Sequence, residues 1–487
     1  MSLSSALNSV QSIFNTTGRQ SSVVSTNIAN VGNSDYVRRE ASVTTSLAGA
    51  QVVVVSRAQE EALLKQYLKS TAKDSAQQTL VSSLEELKSI VGGNDYETAP
   101  STYLSAFSDA LQTFGASPSS TVAAQATVTA AQDLANSLNT ASEAVQSVRE
   151  DADAEIATQV DSLNSLLSQF EDANNAVKAA TATGADTSSA LDEREKLLKQ
   201  ISSIVGVSSA VRSNNDMALY TSDGTVLFET VPRTVTFEPK ATYVAGTEGN
   251  AVYIDGVALA AGDGTTTTAS GSLQALLQVR DEIAPTFQAQ LDEIARSLVQ
   301  TFSETDGTTS APGLFVWTTA SGAEGGTPSS TDGIIDGIAA TISVNTAVTT
   351  SAGGDPMALR DGSISGITNL NTDGDAGFSD NLDALYVALS AQRTFSADAG
   401  ISTTLSLTDY ASESIGWLEQ YRSDATTAAE NTSAALSRSD EAYSNETGVN
   451  LDEELTLLLD IEQSYKAATK VLNVIDEMLQ SLLDIGN

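Results

Sequence analysis

The sequence contains neither cysteine nor histidine among its 487 residues. Without cysteine there is no disulfide, no thiolate nucleophile and no thiolate ligand for zinc or an iron–sulfur cluster. Without histidine there is no Ser-His-Asp triad and no imidazole metal ligand. Any catalysis would therefore have to depend on carboxylates, lysines or tyrosines.

Basic residues are also scarce, with 24 Lys and Arg against 62 Asp and Glu and a net charge of −38. A surface of this sign repels phosphate backbones and anionic lipids, so we expect neither nucleic acid nor a membrane as a partner. The longest apolar runs, such as Val52 to Val55, fall far below the ~18 residues of a membrane helix. The first residues lack the features of a cleaved secretory signal. We expect the protein either to stay inside the cell or to leave by a route that does not cleave it.

The composition predicts a mainly α fold with inserted β structure, as an elongated protein of several domains. Aromatic residues make up only 5% of the chain, which favours helix seams of Leu, Val, Ile and Ala over one aromatic core. Apolar residues at steps of three and four predict the principal helices, which cover about 3–31, 59–91, 116–183, 272–302 and much of 378–487. The stretch 116–183 has no glycine and is expected to form one long rod-like helix. Alternating residues between turn signals predict a small antiparallel β domain over 207–270.

These periodicities divide the chain into seven segments. Residues 305–375 hold twelve glycines and three prolines, which favour loops and short strands or a second β insertion. We expect this segment to tolerate substitutions better than any other part of the chain. The predicted segments are an N-terminal axial helix (1–39), a helical rod domain (40–206), the β domain (207–270), a returning rod helix (271–304), the Gly-rich acidic insertion (305–375), a further rod segment (376–449) and a C-terminal axial helix (450–487).

Both ends of the chain carry apolar residues at the alternating spacing of a coiled-coil seam. The seam consists of Leu3, Leu7, Val10, Phe14, Val24, Ile28, Val31, Leu458, Ile461, Tyr465, Ala468, Leu472, Ile475, Leu479 and Leu482. The paired terminal helices could pack between subunits of an assembly or form an intramolecular hairpin, and spacing alone leaves both open. Residues 1–34 carry one charged side chain, Arg19, which favours assembly because strongly acidic subunits can crowd together only where acid is scarce.

Two chemical alternatives remain weak. The segment from Asn369 to Asp380 resembles the spacing of a calcium loop, but its first and last ligand positions carry the wrong residues, so a plain acidic turn is favoured. With 62 acidic residues, carboxylate pairs at glycosidase spacing arise by chance. We therefore assign no catalytic, cofactor or metal residue and do not expect an enzyme.

Short motifs at both ends resemble those of flagellar axial proteins. Near the N-terminus these are Asn27, Ile28, Ala29 and Asn30, followed by Tyr36 and Arg38. The C-terminal motif is Gly448, Val449, Asn450, Leu451, Asp452, Glu453 and Glu454, which resembles the flagellar hook-associated protein 1 family more than hook or rod proteins. Interior segments at 192–207 and 271–281 agree with this likeness.

The resemblance implies a structural protein at the junction between hook and filament that is needed for filament assembly. It implies uncleaved export through the flagellar type III apparatus, paired terminal helices innermost and β domains outside. The implied partners are further copies in a helical ring, the hook protein, the second junction protein and an export chaperone. Other axial subunits of hook or filament-cap type, a secreted adhesin and a carboxylate glycosidase remain the alternatives.

Overall fold

The computed structural model describes residues 3–45, 51–329 and 333–486, and most of them are helical. Twelve α-helices lie in these ranges. They are α1 (Leu3–Ala29), α2 (Glu61–Gly92), α3 (Pro100–Ala116), α4 (Thr121–Thr183), α5 (Ser188–Ile204), α6 (Ser272–Gln278), α7 (Ala284–Thr301), α8 (Ile338–Thr341), α9 (Ala358–Asp361), α10 (Asp380–Ser390), α11 (Leu407–Thr447) and α12 (Leu451–Gly486). The mainly α class predicted from composition is confirmed.

The β-strands are short, and every sheet has only two or three of them, all antiparallel. The fourteen strands in the described ranges are β1 (Arg39–Thr45), β2 (Gln51–Arg57), β3 (Val207–Val211), β4 (Met217–Thr221), β5 (Val226–Phe228), β6 (Val235–Thr236), β7 (Tyr253–Ile254), β8 (Val257–Ala258), β9 (Glu304–Thr305), β10 (Ser310–Ala311), β11 (Phe315–Val316), β12 (Ser343–Val344), β13 (Arg393–Thr394) and β14 (Thr404–Leu405). The strands predicted over 207–270 form two separate sheets, β3-β4-β5 and β6-β7-β8.

The long helix predicted over 116–183 is present as α4, with 63 residues. It begins five residues later than predicted because Pro118 lies in the preceding turn. The hydroxyl of Ser120 accepts a hydrogen bond from the amide of Ala123 at 3.2 Å, which is the contact of an N-cap residue. Steps of three and four place its Leu, Val and Ile side chains on a buried face, with Val122 in the first turn as an exposed exception.

The helix predicted over 272–302 contains a π-helical turn, but its backbone stays helical, since Val279, Ile283 and Ala284 all have α-helical φ and ψ angles. A π-helical turn, Val279–Ile283, separates α6 from α7, and Pro285 stands in the first turn of α7. A π-helical turn beside a proline is one of the known ways in which a helix accommodates the ring and the missing N–H. Pro285 therefore does not begin a new helix.

The hairpin of β1 and β2 was not predicted, because residue 39 was assigned to the N-terminal axial helix and residues 40–57 to the helical rod. Arg39 pairs with Arg57 at its base, and Val43 pairs with Val53. The run of valines in β2 is the β-branched pattern that favours a strand. The hairpin contacts α1.

The chain divides into two compact units. Unit 1 consists of residues 1–74, 162–234 and 432–487, and unit 2 of residues 75–161 and 235–431. Unit 1 holds both terminal helices, the β1–β2 hairpin and the β3–β5 sheet. Unit 2 holds a large core to which α3, α7 and α11 contribute. The seven predicted segments stay predictions.

Residues 305–375 contribute to the core of unit 2, which the composition did not predict. Phe315 is fully buried, with ring centroids 5.7 Å from Phe107 and 5.4 Å from Phe302. The Glu304 carboxylate accepts backbone hydrogen bonds from Ile364 at 2.8 Å and Ser365 at 2.7 Å, which fastens the far end of the segment. The expected tolerance of the whole segment stays a prediction, and the burial of Phe315 argues against it, because a few apolar residues among many glycines hold the segment in the core. Residues 330–332 lie outside the described ranges.

Candidate assembly surface

The N-terminal motif closes around the side chain of Asn27, which is completely buried at the end of α1. Its Nδ2 donates to the carbonyl of Arg39 at 2.9 Å, and its Oδ1 accepts from the Arg39 amide at 3.1 Å. The Tyr36 hydroxyl donates to the same oxygen at 2.6 Å. Burial raises the pKa of Tyr36, so the hydroxyl keeps its proton. This network folds the chain back from α1 into β1.

Arg38 joins the N-terminal motif to the C-terminal one. Its Nε donates to Glu454 Oε1 at 2.9 Å, and its Nη1 lies 3.2 Å from Glu453 Oε2. Its backbone amide donates to the carbonyl of Thr447 at 2.8 Å. The Glu454 side chain is only 1% exposed, although its carboxylate lies in the first turn of α12. Arg38 gives this carboxylate a charge-assisted hydrogen bond at the N-terminal end of the helix.

The start of α12 is fixed by Asn450, as the sequence predicted. Asn450 Oδ1 accepts from the amide of Asp452 at 3.0 Å and from that of Glu453 at 3.4 Å. A Cβ at Gly448 would lie 2.5 Å from the carbonyl oxygen of Ser444, so only glycine fits at this junction with α11. The motif from Gly448 to Glu454 therefore sets where α12 begins and which face meets Arg38.

The hairpin is held to α5 by a buried ionic cluster. Arg57 donates to Asp192 Oδ1 at 2.7 Å and to Glu195 Oε2 at 2.5 Å, and Arg39 approaches Asp192 at 3.4 Å. Burial alone would lower the pKa of Arg57, but Glu195, Asp192 and Tyr443 together outweigh burial and the pKa is raised. The Tyr443 hydroxyl donates to Glu195 at 2.5 Å. The motif at 192–198 thus supplies the two acids that hold the hairpin.

The N-terminal seam residues are buried to different degrees in the single chain. Val10 and Val24 are buried, Phe14 and Ile28 are half-buried, and Leu7 and Val31 are 43% and 45% exposed. The side chain of Leu3 lies outside the described part of the structure. The buried residues face α12 and the hairpin, which both contact α1.

The C-terminal seam is likewise only partly covered. Ala468 and Ile475 are buried, Leu458, Ile461 and Leu472 are half-buried, and Tyr465 and Leu479 are exposed. The Tyr465 ring lies 5.0 Å from that of Phe14 between centroids, so the two seams do pair within the chain. The side chain of Leu482 lies outside the described part. Other apolar residues on α12 are also exposed, and these are Leu451, Leu455, Leu457, Leu459, Val471, Val474, Met478 and Leu483.

A cavity of about 370 Å³ lies where α1, the base of the hairpin and α12 meet. Its polar walls come from Gln20, Arg38, Arg39, Glu40, Glu454, Asp460 and Ser464. Two buried polar atoms of these residues, Glu454 Oε2 and Arg39 Nε, have no hydrogen-bond partner among the described residues.

Sequence reasoning found the motif residues but not the contacts that they make. It missed Arg39 and Arg57, because neither spacing nor composition links residues 39 and 57 to acids near residue 192. These contacts depend on the β1–β2 hairpin, which was not predicted. The sequence signal that could have indicated the hairpin is the run of valines in β2.

The other predicted chemistry gains no support from the geometry. In the acidic turn, Asn371 donates to Asp361 Oδ1 at 2.8 Å and accepts from the Asp375 amide at 2.9 Å. Nowhere in 3–45, 51–329 and 333–486 do three acidic side chains come together as metal ligands would. No helix within these ranges combines the length and apolar character needed to cross a bilayer.

Two family models match this chain. The model of the flagellar hook-associated protein FlgK helical domain matches residues 84–309. The model of the flagellar basal body rod FlgEFG protein C-terminal region matches residues 441–485, which contain α12. Together they cover more than half of the 487 residues.

Curated relatives extend the likeness to nearly the whole chain. Flagellar hook-associated protein 1 of Bacillus subtilis (strain 168) is 23% identical over 505 residues, which cover 95% of this chain and 94% of that protein. Flagellar hook-associated protein 1 of Escherichia coli (strain K12) is 26% identical over 266 residues, which cover 50% of this chain and 47% of that one. The solved structure of the flagellar hook junction protein FlgK from Burkholderia pseudomallei matches with a TM-score of 0.42 and 21% identity, over 54% of this chain and 46% of that chain.

Proposed function

Because this chain is similar to flagellar hook-associated protein 1 over nearly its whole length, we propose that it belongs to that family and is a structural subunit of the bacterial flagellum, located where the hook meets the filament. The observation that carries the proposal is the match to hook-associated protein 1 over 95% of the chain. The match at residues 441–485 adds to it, because that family model describes rod proteins of the same organelle.

The role of the terminal helices in this proposal is to join subunits. Tyr465 and Leu479 are seam residues that the single chain leaves exposed, and eight further apolar residues of α12 are exposed beside them. Ten exposed apolar side chains on one helix exceed the scattered single exposures that are usual on a monomeric protein. Paired terminal helices that still present apolar side chains support packing against further copies in a helical ring.

The network around Asn27, Arg38 and Glu454 prepares that surface. It fixes how α1 turns into β1 and how α12 starts, so both helices leave the hairpin base in a defined register. Assembly then loses less conformational entropy than it would with free terminal segments. The function is mechanical and templating: a rigid base positions two helices whose outer faces carry the subunit contacts.

The proposed partners are the hook protein below and the second junction protein above. The proposed route outside is the flagellar type III apparatus, with an export chaperone covering the apolar helices beforehand. We propose no enzymatic activity, since the relatives are flagellar structural proteins and the buried carboxylates are engaged in structural hydrogen bonds.

The test is deletion of the gene in a motile cell, followed by electron microscopy and complementation. We expect cells that keep their hooks, lose their filaments and export filament subunits into the medium. The wild-type gene should restore filaments. Filaments of normal length on the deletion strain would overturn the proposal, and loss of hooks would indicate a hook or rod subunit instead.

A further inference from the structure

The two compact units differ in how much positive charge they hold. Unit 2 contains eight Lys and Arg against 37 Asp and Glu in 284 residues, so its net charge is −29. Unit 1 contains the other sixteen Lys and Arg against 25 Asp and Glu in 203 residues, so its net charge is −9. Unit 2 therefore carries most of the negative charge of the chain.

None of the eight basic side chains of unit 2 is exposed, and all eight lie in the described ranges. Arg149, Arg280, Arg296 and Arg360 are buried, and Lys88, Lys240, Arg393 and Arg422 are half-buried. In contrast, 28 Asp and Glu residues of unit 2 are exposed. The described surface of unit 2 that faces solvent is therefore almost purely anionic.

The buried arginines of unit 2 find acceptors in its interior. Arg280 Nη1 lies 2.7 Å from Asp153 Oδ1, and both side chains are 1% exposed. Arg296 Nε lies 2.7 Å from Glu293 Oε1, which is also buried. Arg280 reaches one exposed acid as well, since its Nη2 lies 2.7 Å from Asp281 Oδ2. The remaining exposed carboxylates of unit 2 far outnumber the cations of the unit that could pair with them.

Neighbouring carboxylates of unit 2 act on one another through their charges. Partial burial raises the pKa of Glu282, and the charges of Asp263 and Asp281 raise it further. Partial burial also raises the pKa of Glu86, with a further contribution from the charge of Asp151. All five acids lie at the surface. Repulsion of this kind opposes the compact state, because unfolding moves like charges apart.

We propose that the folded state of unit 2 depends on dissolved salt, whose small cations screen the exposed carboxylates without occupying a fixed site. Screening acts over about 10 Å at 0.1 M salt and about 3 Å at 1 M, so repulsion between surface carboxylates falls steeply over this range. The folded state gains more from screening than the unfolded chain, in which the same charges lie farther apart. This salt dependence does not rest on the proposed position at the junction, since it concerns the stability of one unit.

The two tryptophans of the chain report on unit 2 alone. Trp317 and Trp417 both lie in residues 235–431 and are half-buried, so their fluorescence changes when unit 2 unfolds. Full-length monomeric protein is unfolded with urea, which adds no charge, in about 0.05 M and in about 1 M NaCl. We expect the unfolding equilibrium constant of unit 2 to be about tenfold lower at the higher salt concentration. A constant that is unchanged or higher there would overturn the proposal.

A charge variant tests whether the carboxylates of unit 2 cause the effect. It replaces five exposed acids on helices of unit 2, as Asp109→Lys, Asp133→Lys, Glu143→Lys, Asp161→Lys and Glu430→Lys. The net charge of unit 2 then falls from −29 to −19. Because repulsion scales with the square of this charge, the effect of salt on the unfolding constant should shrink to about threefold. The variant should also be more stable than the wild type at low salt.

The matched control changes the charge of the whole chain by the same amount but leaves unit 2 as it is. It carries Asp172→Lys, Glu441→Lys, Glu446→Lys, Asp476→Lys and Glu477→Lys, all at exposed positions of unit 1. We expect it to keep the effect of about tenfold on the unfolding of unit 2. An equal loss of salt dependence in the two variants would overturn the proposal.

Magnesium chloride separates screening from binding at a fixed site. At equal ionic strength it should stabilise unit 2 at least as much as sodium chloride does, without saturating at low concentration. Stabilisation that saturates at about millimolar Mg²⁺, with no response to NaCl, would indicate a fixed cation site and would also overturn the proposal.

Discussion

Arg38 and Glu454 are 416 residues apart in the sequence and 2.9 Å apart in the structure, between Nε and Oε1. The ion pair ties the turn after α1 to the first turn of α12. It makes the two chain ends one structural element at the base of unit 1. The two family motifs therefore meet in space, which explains why both ends carry a specific pattern.

Arg38→Ala should destabilise the protein by about 3–5 kcal/mol, because it leaves the Glu454 carboxylate buried without a cation. The measurement is urea unfolding followed by circular dichroism. Lys466→Ala is the control, since Lys466 and Glu462 form an exposed pair worth under about 0.5 kcal/mol. Equal effects of the two substitutions would show that the pair contributes no more than a surface contact.

Acid in the seam should be far more harmful than acid outside it. Leu472→Asp or Ile28→Asp places an unpaired carboxylate in the half-buried contact between the terminal helices, at a cost of several kcal/mol. Lys470→Asp changes only an exposed position of α12. Leu472→Asp and Ile28→Asp should each abolish swimming motility and filaments. Lys470→Asp should leave both unchanged. Equal motility defects would contradict the seam assignment.

The middle of the chain should fold without its ends. Deleting residues 1–58 and 450–487 removes α1, the hairpin and α12 but leaves α2 to α11 and the core of unit 2. We expect a monomer that unfolds cooperatively on heating but does not restore filaments. A truncated protein without a cooperative transition would show that the ends belong to the same core as the rest.

Stability should fall between about pH 4 and pH 7 through Asp292, which lies on α7 and is 1% exposed. Burial raises the pKa of this carboxyl to about 7, despite hydrogen bonds from the amides of Gly337 and Ala339. The folded protein then holds a proton that the unfolded chain has already lost. The free energy of unfolding should decrease by up to about 1.4 kcal/mol per pH unit over this range.

Asp292→Asn should remove this slope, whatever its effect on stability at one pH. Asp373→Asn is the control, because Asp373 is exposed in the acidic turn. Urea titrations at four pH values compare the two variants with the wild type. A slope that survives in Asp292→Asn would assign the pH dependence to other groups.

Tolerance within residues 305–375 should depend on burial and not on glycine content. Phe315→Ala should cost about 3–5 kcal/mol because it empties a fully buried aromatic contact. Ser321→Ala, in the exposed turn of the same segment, should change stability by less than about 0.5 kcal/mol. Thermal unfolding compares the two. Similar melting temperatures would restore the original expectation that the segment is loosely held.

Periodicity was sufficient to predict the long helices, because α4 and α12 carry apolar residues at helical steps over many turns and contain no proline. Periodicity did not predict packing that depends on a few residues far apart in the sequence. Phe315 is buried by partners from α3 and from the end of α7, and no local sequence pattern indicates such distant partners. The same reason hid the hairpin, whose base is fixed by Asp192 and Glu195.

The candidate surface was predicted in part. The seam residues were named from spacing, and the structure brings Phe14 and Tyr465 together as a pair. Spacing could not divide the seam into a part covered within the chain and a part left exposed, because that division depends on where the hairpin packs. The cavity has no sequence signal, since its walls come from α1, β1 and α12.

The π-helical turn Val279–Ile283 contains one residue more than an α-helical turn would need, and it lies directly before Pro285. Loss of a single codon there leaves both flanking helices able to continue in one regular α-helix. Loss of a codon in the middle of α7 would instead rotate every later residue by about 100° around the axis, since a turn holds 3.6 residues. A one-residue deletion at this turn would therefore change least which side chains of the helix face the core and which face solvent.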